Sequence, residues 1–191
     1  NFLDRYFIEY YYGSSLMGSY AGFSEFIIRI FSIFIFPITL AVHPMLMNQW
    51  NKNKNLTKSF RFILQASIIQ ILICTFMLII LFFLKDYIFS LIQLMIPQLD
   101  KSLKEIMIPI FLGGFLWQLA LILHKPLEIE ERTLVMVGCI LFSVIINIVG
   151  NFIFLPKFGI IATAYAMIFS ASSYIILSII LSKSFISISR K

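Results

Sequence analysis

Charge is what this sequence has least of. Fifteen basic and nine acidic side chains are spread over 191 residues, 13% of the chain against 60% that is hydrophobic. With a mean hydropathy of +0.96, that excludes a soluble globular domain, which needs about twice the charge to cover its surface. Cysteine is nearly missing too. Cys74 and Cys139 each lie inside an apolar run and read as small buried hydrophobes, so neither a disulfide framework nor a thiolate metal site is expected. No phosphate-binding glycine loop, dinucleotide fingerprint, HExxH helix or nucleophile elbow occurs. The sequence therefore offers no catalytic residue, no cofactor and no metal ligand set. The formal charge of +6 is weak evidence for an anionic partner, because basic residues also set membrane orientation. A nucleic-acid role is not expected.

What is present is apolar sequence in long blocks, the pattern of a polytopic all-α transmembrane bundle. Five complete spans are expected at about 18–47, 62–84, 106–123, 134–155 and 160–181, in one membrane domain covering 1–191. Residues 1–12 read as the end of a further helix, its tyrosines suited to a membrane–water interface. Asn1 leads straight into Asp4, Arg5 and aromatics, which reads as the cut edge of something longer rather than a signal peptide. A turn is expected at 13–19, loops at 48–61 and 85–105, and an interfacial segment at 87–96 within the second loop.

The first complete span carries the least expected residues. Counting from Ala21 at about 1.5 Å per residue, Arg29 lies about 12 Å into a hydrocarbon core about 30 Å thick. A charge at that depth costs on the order of 3 kcal/mol on insertion scales, and it faces a protein interior or a wet cavity far more often than lipid. Glu25 precedes Arg29 by one helical turn, so the two share a face with the acid N-terminal. Asp4 and Arg5 are adjacent and point apart on a helix. Gln65 and Gln70 are the strongly polar residues of the second span, and Asn147 and Asn151 lie one turn apart in the fourth. Such amides more often join helices than line a passage. His43 reads as a lone interfacial histidine, Gly113-Gly114 as a place where another helix approaches closely or the helix bends, and Trp117 as a residue packed between helices or edging a cavity.

The 48–61 loop holds Lys52, Lys54, Lys58 and Arg61 with no acid, and this places it in the cytoplasm. Alternating spans then put Lys125, Arg132, Lys183, Arg190 and Lys191 inside, with a cytoplasmic C-terminus. Arg5, Lys85, Lys101, Lys104 and Lys157 fall outside.

The order of landmarks resembles a family. Asp4-Arg5, Gly13, Gly18-Ser19-Tyr20 and a long helix closing on Pro44 are followed by Lys125-Pro126-Leu127-Glu128 with Arg132-Thr133. Asn147, Asn151, Pro156 and Gly159 then lead into a helix rich in small residues. Together these look like the latter part of the Wzx-type polysaccharide flippases, of the multidrug/oligosaccharidyl-lipid/polysaccharide exporter superfamily. Ala162-Thr163-Ala164 departs from the Gly-Ala-Ala often found there. The resemblance implies a second lobe lacking its N-terminal partner lobe. It also implies a multi-pass protein of the bacterial inner membrane that moves an undecaprenyl-diphosphate-linked oligosaccharide between leaflets. A diphosphate in a low-dielectric passage needs a cation, and Arg29 is the first candidate, with Glu25 tuning it. Arg5 and Asp4 come next; Gln65, Asn147 and Asn151 are further candidates for the sugar. The alternatives are a drug or cation antiporter of the same superfamily and, more distantly, a membrane enzyme of envelope polysaccharide synthesis. The antiporter would favour acidic cavity residues; the enzyme would gather polar residues at one membrane face.

Overall fold

The computed structural model describes residues 2–182. Lys183, Arg190 and Lys191, expected in the cytoplasm, lie outside the described residues. Among the described residues seven helices follow one another: α1 (Phe2–Tyr12), α2 (Ser14–Asn53), α3 (Leu56–Met95), α4 (Leu103–Leu123), α5 (Lys125–Ile129), α6 (Thr133–Phe158) and α7 (Ile161–Leu181). No strand occurs among the described residues. Five helical stretches among the described residues are long and apolar enough to cross a bilayer, from Ser14, Thr57, Leu103, Thr133 and Ile161 onward. The chain is an all-α polytopic bundle.

The helices are longer than their apolar cores, and three expected loops are corrected accordingly. The 13–19 turn shrinks to Gly13, whose φ of 85° only glycine adopts without strain. The 48–61 loop shrinks to two residues. Lys54 closes α2 in the left-handed region, and the Asn55 side chain caps α3 by accepting from the Lys58 amide at 3.1 Å. The interfacial segment at 87–96 is instead the continuous end of α3, which stops only at Ile96, before Pro97. The 85–105 loop is thereby reduced to residues 96–102. Both α2 and α3 contain 40 residues, about 60 Å of helix against a hydrocarbon core of about 30 Å. Their charged ends must therefore project beyond it.

The core is built around α4, the most enclosed of the membrane-length helices. It packs against α2, α3 and α7 at once. Ile106, Met107, Ile110 and Phe111 of α4 meet Phe23, Ile27, Phe31 and Ile35 of α2, with the Phe31 and Phe111 rings 5.1 Å apart. The glycine pair makes this approach possible. A Cβ on Gly114 would stand 3.0 Å from the Phe31 ring and 3.3 Å from Ile28, and one on Gly113 would run into the Met167 side chain of α7. The expected close approach at Gly113-Gly114 is thus real on both sides. Trp117 stacks on Tyr174 of α7 at 5.7 Å, packed between helices. Cys74 and Cys139 are buried free thiols.

Candidate functional site

Gly13 folds α1 back along the first half of α2, and this hairpin brings Arg5 beside Glu25. The Arg5 guanidinium donates to Glu25 Oε1 at 2.6 Å, while Arg29 donates to Oε2 at 2.8 Å. One carboxylate thus serves two guanidinium groups, and the trio carries a net charge of +1. The three differ in access: the side chain of Arg5 is 27% exposed, Glu25 44% and Arg29 79%. An arginine has five N–H donors, so the single bond from Arg29 to Glu25 leaves most of its fork open to an incoming anion. The anticipated pair is in fact a triad. That changes its electrostatics, since Glu25 is claimed from two helices and Arg29 competes for it.

On the other side of α1, Asp4 turns toward α6. It is fully buried and accepts from Asn151 Nδ2 at 3.2 Å. The same Asn151 amide donates to the backbone oxygen of Asn147 at 3.0 Å and to its Oδ1 at 3.3 Å. The Tyr20 side chain of α2, also buried, hydrogen-bonds Asp4. Adjacent Asp4 and Arg5 therefore do point apart, one into α6 and the other into α2. Six of the seven candidate residues named from sequence lie in this one continuous region along α1. The seventh does not. Gln65 is exposed on α3 and lines an apolar groove of about 570 Å³ with Ile38, Met45 and Phe62. Gln70 is buried and donates to Thr39 of α2 at 2.8 Å, joining two helices.

A second polar cluster lies toward the other end of α2, and it corrects the reading of His43 as a lone interfacial group. Lys125 Nζ donates to both oxygens of Glu128, at 2.9 and 2.7 Å, and sits 3.1 Å from His43 Nδ1. His124 Nε2 meets Glu128 Oε1 at 3.0 Å, and its Nδ1 lies 3.2 Å from the Tyr174 hydroxyl. The two histidines of the chain thus share one carboxylate. Sequence reasoning missed this because His43 and Lys125 are 82 residues apart. The only available signal was the spacing of His124, Lys125 and Glu128, three and four residues apart within one turn of helix. Its placement at one end is what the enzyme alternative asks for, but the internal Lys125 ammonium already neutralises the carboxylate. Among the described residues, no group of three or more His, Cys, Asp or Glu is arranged to hold a metal ion.

Beside these polar regions, a groove of about 720 Å³ runs between α6 and α7, lined by Val149, Phe154, Phe158, Tyr165 and Phe169. No protein-family model matches the chain, and neither a curated protein nor a solved structure does.

Proposed function

We propose that this chain is a lobe of a flippase that moves a lipid-linked oligosaccharide, joined to its lipid by a diphosphate, across the bacterial inner membrane. The observation that carries the reading is the Arg5–Glu25–Arg29 triad. A guanidinium on a membrane-length apolar helix is held by a shared carboxylate, yet four-fifths of its surface is open. Such a group attracts an anion whose charge is spread over several oxygens, because the planar fork binds two of them at once. In the empty state Glu25 lowers the cost of holding Arg29 away from bulk water. A diphosphate entering would draw Arg29 off Glu25, and Arg5 would keep the carboxylate paired. The lipid tail would remain in the bilayer while the sugar follows the polar side of α1.

The test is polysaccharide export by the full-length protein in a bacterial strain lacking it, at matched membrane levels. Arg29→Ala should abolish export, and Arg29→Lys should retain part of it, since the charge survives but the fork does not. Neutralising only Glu25 and Arg29 would strand Arg5 beside a lost partner. The informative control is therefore the triple change Arg5→Gln, Glu25→Gln and Arg29→Gln. Full export by that triple variant would reduce the triad to a structural device and remove the basis for a diphosphate site.

A further inference from the structure

We propose that the groove between α2 and α3, just inside the basic tip, holds one anionic phospholipid: an acyl chain lies along its apolar wall, and the phosphate is held by Arg61 and Gln65. The groove measures about 570 Å³, within the range of small-molecule sites. Ile38, Ala41 and Met45 of α2 form one wall, and Phe62 and Ile69 of α3 the other. Gln65 is the one polar side chain among the residues that line it. It is exposed, and among the described residues its side chain makes no hydrogen bond. Gln70, deeper on the same helix, is buried and donates to Thr39 at 2.8 Å. One glutamine therefore joins two helices, while the other faces outward with its amide unspent.

The residues beyond Gln65 give the groove its charge. Lys58, Arg61, Gln65 and Ile69 follow one another at steps of three and four, so they share a face of α3. On α2, Lys52 comes seven residues after Met45 and takes the groove side in the same way. Lys52, Lys58 and Arg61 are exposed, and among the described residues none of them forms an ion pair. Between Glu25 and Asp86 the sequence has no acidic residue at all. The carboxylate that does approach this part of α2 is Glu128, but it meets His43 on the far side of the helix and is taken up by Lys125. The mouth of the groove is therefore positive and unopposed. A phospholipid whose headgroup carries no ammonium of its own answers that field, whereas phosphatidylcholine brings a cation into it. The guanidinium fork binds two phosphate oxygens at once, and the Gln65 amide can donate to the same group.

Depth agrees with this assignment. α4 has 21 residues, about 31 Å of helix, which matches a hydrocarbon core of about 30 Å. Its middle, at Gly113-Gly114, marks the midplane, and Gly114 packs against Phe31 of α2. The Gln70–Thr39 bond sets the register of α2 and α3, so Gln65 stands level with Pro44 and Arg61 with Asn48. Those levels are about 20 and 26 Å beyond Phe31 along the axis. A bilayer with its headgroups is about 40–45 Å thick, which puts its edge about 22 Å from the midplane. Gln65 thus sits among the headgroups, and Arg61, one turn farther out, reaches back to them along its flexible stem. The apolar wall begins at Ile38, about 11 Å from the midplane. Chain, phosphate and cation meet the protein in the order in which a phospholipid presents them. Arg29 stands on the other side of Phe31, so this site is separate from the triad and does not rest on what the triad binds.

The experiment titrates the purified full-length protein in detergent with dioleoylphosphatidylglycerol or dioleoylphosphatidylcholine and reads bound lipid by native mass spectrometry. The first phosphatidylglycerol should bind at least about fivefold more tightly than phosphatidylcholine, the gain expected of one cation beside an anionic headgroup. Arg61→Gln combined with Gln65→Leu should bring the two lipids level, and Arg61→Lys should keep part of the preference. Lys157→Gln removes a cation at the opposite end and should leave the preference in place. Ala41 is exposed in the groove wall, so Ala41→Trp fills the space from its open side and should weaken both lipids. Glycerol phosphate in large excess should not displace the bound lipid. Equal binding of the two lipids to the unaltered protein overturns the site, as does a preference that survives the Arg61 and Gln65 changes. Undiminished binding to Ala41→Trp, or displacement by glycerol phosphate, reduces the groove mouth to an anion-attracting surface and overturns it equally.

Discussion

Arg5 and Arg29 bind the two oxygens of one carboxylate, and water treats them differently. Arg5 is mostly covered between α1 and α2, so its bond to Glu25 is weakly screened; Arg29 is open along most of its length. Water screens an open ion pair more than a charged hydrogen bond that protein partly covers. Arg5→Gln should therefore lower stability in detergent denaturation clearly more than Arg29→Gln does. Equal losses would mean that Arg29 is not open in the folded protein. The asparagines allow a second comparison. Asn151 makes the bonds to Asp4 and to Asn147, so Asn151→Leu should cost about 1–3 kcal/mol by leaving a buried carboxylate oxygen short of a donor. Asn147→Leu leaves the bond to Asp4 intact and should cost less. Sequence showed the Glu25–Arg29 and Asn147–Asn151 pairs because a helical turn is a local rule. It did not show Arg5 on Glu25, Asp4 on Asn151 or His43 on Lys125. Those contacts depend on how helices align across the bundle, and no local spacing encodes that alignment.

At the scale of a helix, charge proved to mark something other than an end. Lys52, Lys58, Arg61 and Lys85 delimit the apolar stretches well, yet α2 and α3 run straight through them. A charged side chain only needs to leave the hydrocarbon. A helix stops where its backbone bonding is turned, as at Gly13, at left-handed Lys54 and ahead of Pro97. The signals for those ends were in the sequence, but membrane arithmetic outweighed them. Glycine spacing, by contrast, read correctly, and it makes a sharp comparison possible. Gly114→Val would drive a branched side chain into Phe31 and Ile28 and should cost about 1–3 kcal/mol, the range for an overfilled core. Gly138 sits in the second turn of α6 with nothing within 4 Å of a built Cβ. Gly138→Ala should be neutral or stabilise by up to about 1 kcal/mol, since alanine is the better helix former. Thermal unfolding of the two variants in one detergent checks both. A tolerated Gly114→Val would show that α4 can draw away from α2.

The whole molecule sorts its basic residues by end. The tip between α2 and α3 carries Lys52, Lys54 and Lys58, and the same end receives Lys125 through its contact with His43. Arg132 joins them, bonding the Leu181 carbonyl where α7 finishes. The opposite end holds Lys101 and Lys104 between α3 and α4, and Lys157 at the Gly159 turn between α6 and α7. There Lys104 pairs with Asp86 at 2.5 Å, and Asp100, held below the usual carboxylate range by the Ser102 hydroxyl and amide, keeps its negative charge. Acids thus offset part of the basic charge at that end, while the α2–α3 tip has none of its own. Lysines and arginines in short connections near the ends of spans are retained on the cytoplasmic side during insertion, and the densest run of them is at the α2–α3 tip. The tip should therefore face the cytoplasm and the Gly159 turn the outside. Single cysteines at Lys54 and Lys157, with Cys74 and Cys139 replaced by Ala, report this in intact cells. A membrane-impermeant maleimide added outside should label Lys157→Cys and leave Lys54→Cys untouched until the cells are opened. Labelling of Lys54→Cys alone would invert the molecule. The His43 cluster would then lie at the outer side, and the open face of Arg29 would lie nearer the cytoplasmic one.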